Sequence, residues 1–292
     1  MSRGVTRSDF RLLHSLRVRW AEVDMQKIVF NAHYLMYFDT AVTEYWRALG
    51  MPYEAAMHQL GGELYVVKAA LEFHASAHVD DWLDVGLACR RVGNSSITFQ
   101  GAIFRDEQHL ISSEIVYVFA DPAMQTSRPV PAALRELLAG YEAGESMLDV
   151  QTGDWATLGE AVRAVRTSVF VDEQRIPDGL VFDDADPGAL HVLVSNRLGM
   201  PVGVGRLLPP DGQGDARVGR VATQRVLRGS GIGRAIMRAL EEGARTRGAR
   251  RLVLHAQRTA IPFYERLGYR RVGDMFDEAG IPHQEMVKPL GA

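Results

Sequence analysis

Arg228-Gly229-Ser230-Gly231-Ile232-Gly233-Arg234 follows a strand-like run, Ala216 to Ala222, and opens an amphipathic helix. Glycines in such a loop let backbone N–H groups crowd together, and a helix N-terminus adds partial positive charge. Strand, loop and helix together make a cradle for a pyrophosphate. The run is not a G-x-G-x-x-G dinucleotide fingerprint, because Arg234 stands where the third glycine belongs, and no Gly-Lys-Ser/Thr follows as in a Walker loop. Taken alone, it is equally a glycine-rich turn before an ordinary helix.

Outward from the loop, the second half of the chain mixes helices and strands. Asp154 is placed to cap a helix whose apolar face is Trp155, Leu158, Val162, Val165 and Val169. Strand-like runs follow at His191 to Ser195, Val202 to Leu208 and Arg217 to Ala222. After the loop come a helix from Gly231 to about Thr246, a strand Arg251 to Ala256, and a helix near Pro262 to Arg266.

The first half has another pattern. Leu12 to Trp20 alternates as a strand, and Tyr34, Phe38, Ala41, Val42, Tyr45 and Leu49 recur at helical spacing until Gly50 and Pro52 end the helix. Four strand-like runs follow: Leu64 to Val79, Leu83 to Val92, Ile97 to Phe104 and Ile111 to Phe119. Gly93-Asn94 and Asp106-Glu107-Gln108 supply turns. One long helix and a large antiparallel sheet must bury the helix on one sheet face. A helix wrapped by a curved sheet is the hotdog architecture. The polar stretch 141–146 reads as the linker, giving domains 1–145 and 146–292. The fold expected is an α+β hotdog domain followed by an α/β domain.

Composition narrows the function. The chain has 292 residues and is 47% hydrophobic and 24% charged, a globular balance that fits two domains. Only about the first ten residues, polar and Arg- and Ser-bearing, read as a disordered tail. A net charge of −3 makes no case for nucleic acid. Residues 1–146 carry −5 and the remainder +2, so the modest basic excess lies where an anionic ligand is expected. The single cysteine, Cys89, excludes an internal disulfide and a multi-Cys zinc site. His74 and His78 on one strand would stand about 13 Å apart, too far to share an ion, and no metal is expected. Without a signal-peptide or membrane-spanning apolar run, a cytoplasmic location is expected.

Two resemblances then give the halves a chemistry. Residues 147–290 resemble the GNAT N-acetyltransferases. Arg228 to Arg234 matches their Arg/Gln-x-x-Gly-x-Gly/Ala coenzyme-A loop, and Val221-Ala222-Thr223 falls on the strand beside the pantetheine arm. Leu254-His255-Ala256-Gln257, with Ala260, Phe263-Tyr264 and Leu267-Gly268-Tyr269, matches the next motif. Val169 to Gln174, the acidic Asp183 to Asp186 before His191, and Gly280 to Met286 resemble a bacterial subgroup. The resemblance implies that Arg228, Gly229, Ser230, Gly231, Ile232, Gly233 and Arg234, with Val221, Ala222, Thr223, Gln257 and Ala260, hold coenzyme A. It implies Tyr264 as general acid for the departing thiolate, and leaves Glu173, His191 and His283 as candidates for the base.

Residues 14–49 resemble the 4-hydroxybenzoyl-CoA thioesterase family of hotdog enzymes, through Val18 to Asp24 and Ile28 to Phe38. Asp24 falls on that family's catalytic aspartate, which attacks the thioester carbonyl or activates water. Backbone N–H groups at the helix start, near Tyr34, would polarise the carbonyl oxygen, and Asn31, also implied as a site residue, stands where relatives carry histidine or asparagine. Lys27 stands where the family usually has glycine. The plainer alternative for Asp24 is an Asx-turn residue organising the loop.

Both halves thus imply one ligand class, the coenzyme-A thioester, taken as a substrate rather than a resident cofactor. The expectation is a thioesterase joined to an N-acyltransferase acting on a small amine. The rival is a transferase whose hotdog half only dimerises or senses acyl-CoA. A homodimer through 1–145, or a higher homo-oligomer built by back-to-back packing, is expected, because Ile97 to Phe104 and Ile111 to Phe119 would be hazardous as unpaired edges.

Overall fold

The protein is described by a computed structural model covering residues 4–291. The chain divides into two compact units between Met147 and Leu148.

Of the expected ten-residue tail, residues 1–3 lie outside the described residues, and the rest is built into the first unit. Arg7–Asp9 form a 3-10 turn in which the Asp9 carboxylate accepts the Thr6 N–H at 2.8 Å. Phe10 is buried with Ala88, Ala102 and Phe104. An aromatic anchor outweighs the polar composition around it.

The first unit runs β1 (Leu12–Arg17), α1 (Asn31–Ala48), α2 (Tyr53–Leu60), β2 (Glu63–Phe73), β3 (Trp82–Val92), β4 (Ser96–Arg105), β5 (Gln108–Ala120) and α3 (Ala132–Glu142). Its strands form one antiparallel sheet in the order β1-β3-β4-β5-β2. Helix α1 buries Tyr34, Tyr37, Phe38, Ala41, Val42 and Tyr45, and the Tyr45 ring meets Phe99 of β4 edge-on at 5.1 Å. Gly101 lets the helix approach: a Cβ there would come within 2.4 Å of the Phe38 ring. This is the hotdog fold.

Three expectations are corrected here. The Leu64 to Val79 run ends as a strand at Phe73. The His74 and Ala75 N–H groups both turn onto the Leu110 carbonyl, so His74 and His78 do not share a strand. The runs Ile97 to Phe104 and Ile111 to Phe119 are central, not edges. Successive hairpins place β4 and β5 inside the sheet, and the edges are β1 and β2. The linker begins later than Tyr141, because Tyr141 and Glu142 close α3. The Tyr141 ring packs on Tyr45 at 4.9 Å, and Glu142 accepts from the Tyr45 hydroxyl and the Cys89 N–H.

The second unit runs β6 (Leu148–Gly153), α4 (Trp155–Arg166), a π-helical turn (Thr167–Glu173), α5 (Asp178–Val181), β7 (Leu190–Asn196), β8 (Pro201–Leu207), β9 (Asp215–Thr223), α6 (Ile232–Thr246), β10 (Arg251–Gln257), α7 (Ile261–Arg266), β11 (Arg270–Glu278) and β12 (Ile281–Pro289). The sheet order is β11-β12-β10-β9-β8-β7-β6, antiparallel except for the parallel pair β9–β10. Asp154 caps α4 through the Thr157 N–H at 2.9 Å. Helix α6 buries Ile232, Ile236, Met237, Leu240 and Ala244 against one sheet face, and α4 buries Leu158, Val162 and Val165 against Leu193, Val204 and Ala222. The second unit thus packs helices on a mixed, mostly antiparallel sheet, and it follows the α+β unit along the chain. Among the described residues no helix is long and apolar enough to cross a membrane.

Candidate active sites

In the second unit the ladder between β9 and β10 pairs Asp215–Val218 with Arg251–Leu254 and goes no further. Beyond that point β9 carries Arg220 in the left-handed region, at φ 54°, and its register with β8 shifts. The conformation is costly for an arginine. It is held by three bonds: Nε to the Val181 carbonyl, and Nη2 to the Leu180 carbonyl and to Asp183. The two strands therefore part at the level of Gly219 and His255.

Helix α6 begins immediately after the glycine loop. Gly229 and Gly231 have φ of 91° and 92°, a region closed to most side chains, and Gly231 is the N-cap of α6. The leading N–H groups of the helix precede its first internal bond, from Ala235 N–H to the Gly231 carbonyl at 3.1 Å, and are free to meet an anion. If this loop is the coenzyme-A site that the sequence resemblance implies, Gly231→Asp should weaken coenzyme-A binding about tenfold or more by calorimetry. It places strain, bulk and negative charge together at the helix start, and unchanged affinity would remove the loop from the site.

One cavity of about 620 Å³ brings together Val221, Gln257, Ala260 and Tyr264, with Phe170, Gln174, His255 and His283 also in its wall. Ala222, Thr223 and Arg228 to Arg234 do not line it. Ala222 packs into the α4 core instead, because side chains alternate along β9. Tyr264 is buried beside Phe263 and Tyr269. Burial pushes its hydroxyl well above the usual phenol range, so it keeps its proton through neutral pH.

The other sequence candidates are bonded elsewhere. Both carboxylate oxygens of Glu173 accept from Arg228, each at 2.7 Å, which ties the first residue of the glycine loop to the π-helical turn. His191 is wholly buried. Its Nε2 lies 2.8 Å from the Asp186 carbonyl, and Arg166 Nη2 stands 3.3 Å from its Nδ1. Burial pushes its pKa down, so it is a neutral structural imidazole.

Sequence reasoning missed the ionic cluster around His191. Arg166, with no exposed surface, donates to both oxygens of Asp186 at 2.9 Å. Arg206 donates to Asp186 at 2.9 Å and to Asp183, and Arg220 joins through Asp183. The Trp155 ring lies against both His191 and Arg166. Three arginines thus share two aspartates. Burial tends to raise the Asp186 pKa, but the arginines outweigh it and hold the carboxyl below the usual range. Burial brings Arg166 down to about 10, still charged at neutral pH. The acidic run Asp183 to Asp186 was the available signal. Its arginine partners are scattered over three elements.

In the first unit, Asp24 sits in the loop between a 3-10 turn, Trp20–Glu22, and α1. Its Oδ1 accepts the Gln26 N–H at 2.8 Å, its N–H bonds the Ile28 carbonyl, and its carbonyl accepts from Lys27. The Asx turn is real, and it leaves Oδ2 unspent. Lys27 occupies φ 62°, the conformation for which glycine is the natural residue. Asn31 is the first residue of α1. The Phe30 carbonyl accepts from His33 at 2.9 Å, so the N–H groups of Asn31 and Ala32 precede the first bond of the helix. The Tyr34 side chain is structural: its hydroxyl accepts the Ala77 N–H at 2.9 Å.

Buried Glu22, which sequence reasoning passed over, anchors this loop. It accepts from the Tyr37 hydroxyl at 2.8 Å, from the Arg19 N–H at 2.7 Å and from the Arg19 guanidinium. Burial alone would raise its pKa. The Arg19 and Tyr37 bonds reverse that and hold it low. Among the described residues no group of three or more His, Cys, Asp or Glu is placed to hold a metal ion.

Residues 26–112 match the family model described as "Thioesterase superfamily", and residues 179–290 match "Acetyltransferase (GNAT) domain". Over 125 residues the chain is 39% identical to the "Uncharacterized N-acetyltransferase YjcF" of Bacillus subtilis, spanning 42% of this chain and 87% of that one. Over 95 residues it is 30% identical to the "Putative esterase" of Aquifex aeolicus, spanning 32% of this chain and 73% of that one. Among solved structures, an acyl-CoA N-acyltransferase from Pseudomonas aeruginosa is 31% identical with a TM-score of 0.44, covering 48% of this chain and 99% of that one.

Proposed function

The chain belongs to the thioesterase superfamily through its first unit and to the GNAT acetyltransferases through its second, and from that premise we propose one protein acting on coenzyme-A thioesters at two separate sites. The second unit transfers an acyl group, acetyl in the simplest case, from coenzyme A to a small amine. The observation that carries this is the single cavity joining Val221, Gln257, Ala260 and Tyr264 where β9 and β10 part. Main-chain groups of Val221, Ala222 and Thr223 meet the pantetheine arm, Arg228 to Arg234 hold the pyrophosphate, and Tyr264 protonates the leaving thiolate.

The first unit hydrolyses an acyl-CoA. Asp24 attacks the thioester carbonyl or activates water, and N–H groups of the first turn of α1, around Asn31 and Tyr34, polarise the carbonyl oxygen. Thiol release from a panel of acyl-CoAs, with and without small primary amines, tests both halves on the full chain. Hydrolysis should occur without amine, and amine should add a second rate with acetyl-CoA. Absence of either rate removes that half of the reading.

A second reading has its own observation. Asp24 already serves a turn, and Lys27 fills a glycine conformation, as expected of a hotdog unit retained for binding or dimerisation.

Either reading assembles as a homodimer through the first unit. Edge strand β2 exposes Tyr65, Val66, Val67 and Phe73, and Trp20, Met25, Phe30 and Met36 are exposed around the Asp24 loop. Such an edge is a template for a second copy. Light scattering should give twice the chain mass at micromolar concentration, and a monomer would sink the assembly.

A further inference from the structure

We propose that His283 is the general base of the amine transfer, an assignment that rests on the transferase reading of the second unit. Amine attack needs a lone pair, delivered inside the cavity, that can take the proton of an ammonium group. The structure sorts the candidates by what each is already bonded to.

Glu173 has both oxygens committed to Arg228, and His191 has both nitrogens committed and no exposed surface. A further imidazole in the cavity wall, His255, faces a carboxylate on each side. Its Nδ1 lies 2.7 Å from Glu278, and its Nε2 3.7 Å from Glu285. His283 differs from Glu173 and His191 in keeping one nitrogen unbonded, and from His255 in having no carboxylate paired with its ring. It stands on β12, opposite Gln257 of β10 in the ladder, and lines the same cavity as Tyr264. Its Nδ1 is 2.7 Å from the Ile281 carbonyl oxygen. A carbonyl can only accept, so Nδ1 carries the proton and Nε2 carries the lone pair. The ring is stacked on Phe276, with planes 24° apart, and is nearly buried, so its orientation is fixed by packing as well as by the bond.

The proton balance closes with these two groups. His283 Nε2 takes a proton from the acceptor ammonium and releases it to solvent. The neutral nitrogen attacks the thioester carbon, and a C–N bond forms. Collapse breaks the C–S bond, and the electron pair leaves with sulfur. Tyr264 gives its proton to that thiolate, and the phenolate recovers the proton shed by the new amide nitrogen.

Four measurements on the full chain test the assignment. Long-range proton–nitrogen spectra of histidine-labelled protein, with His283 assigned through His283→Asn, should at pH 8 show a proton on Nδ1 and none on Nε2. A proton on Nε2 overturns the assignment whether or not the chain is a transferase. His283→Asn keeps an N–H donor where Nδ1 bonds Ile281 but has no basic nitrogen. With acetyl-CoA and whichever primary amine reacts fastest, it should lower kcat about 10²- to 10⁴-fold while coenzyme-A affinity by calorimetry stays within twofold. Added imidazole should restore part of the rate to His283→Gly. A variant that transfers at the wild-type rate sinks the base and spares the transferase. A wild-type chain that binds acetyl-CoA but responds to no amine sinks the transferase reading itself, and the base with it.

Discussion

Asp24→Asn is expected to lower acyl-CoA hydrolysis by the full chain about 10²- to 10⁴-fold while amine-dependent thiol release is unchanged. Asparagine keeps the side-chain oxygen that accepts the Gln26 N–H, so the turn that shapes the loop survives. What it loses is the negative charge, and with it the ability to attack a carbonyl or draw a proton from water. Hydrolysis at the wild-type rate in this variant would reduce Asp24 to the cap of a turn and leave the first unit without a catalyst. The two reactions report on different units, so each serves as the folding control for the other.

Asp186→Ala is expected to destabilise the second unit by about 3–5 kcal/mol, the cost of leaving a buried charge unpaired. Arg166 has no exposed surface and takes both oxygens of Asp186, and Arg206 shares one of them. Domains hold about 5–15 kcal/mol in total, so the unfolding of the second unit in urea should move to much lower denaturant or vanish as a transition. A loss below about 1 kcal/mol would mean that water replaces the carboxylate and the cluster is not dry.

The same cluster sets an acid limit. The Asp186 carboxyl is held below its ordinary value, so its contribution is present above the unfolded pKa. That contribution is lost as pH falls through the depressed folded one. Asp183, held low chiefly by Arg206, acts in the same direction. Stability of the second unit should therefore decline from about pH 4 downward.

Much of this was readable in the chain because the signals were local. The cap at Asp154, the helical stripe of α1 and the glycines before α6 each act within a few residues. What the sequence hid was set at a distance. Apolar character made Ile97 to Phe104 and Ile111 to Phe119 read as exposed edges. The order of hairpins makes them central, and no property of the run itself records that order. Helix α2 buries only Ala56 and Met57, too little for a periodic signal. Helix α3 did carry one, Leu134, Leu137, Leu138 and Tyr141, but the polar residues after it suggested a linker.

The sites divide the same way. A turn and a helix start locate Asp24 and Asn31. Glu22, by contrast, becomes important only through burial against Arg19 and Tyr37. Arg228 and Glu173 are 55 residues apart, and their pairing is visible only once the chain is folded.

The parting of β9 from β10 also has a consequence for mutagenesis. Past Val218 and Leu254 the facing edges carry backbone groups with no ladder partner between the two strands. Recognition through such groups is written in the path of the chain rather than in its letters. Alanine at Val221 or Thr223 would therefore pass over it, whereas alanine at Arg220 would not, because that side chain holds the bend of the strand. Only a change that removes a backbone donor or redirects the strand, such as proline at Val221, would expose it.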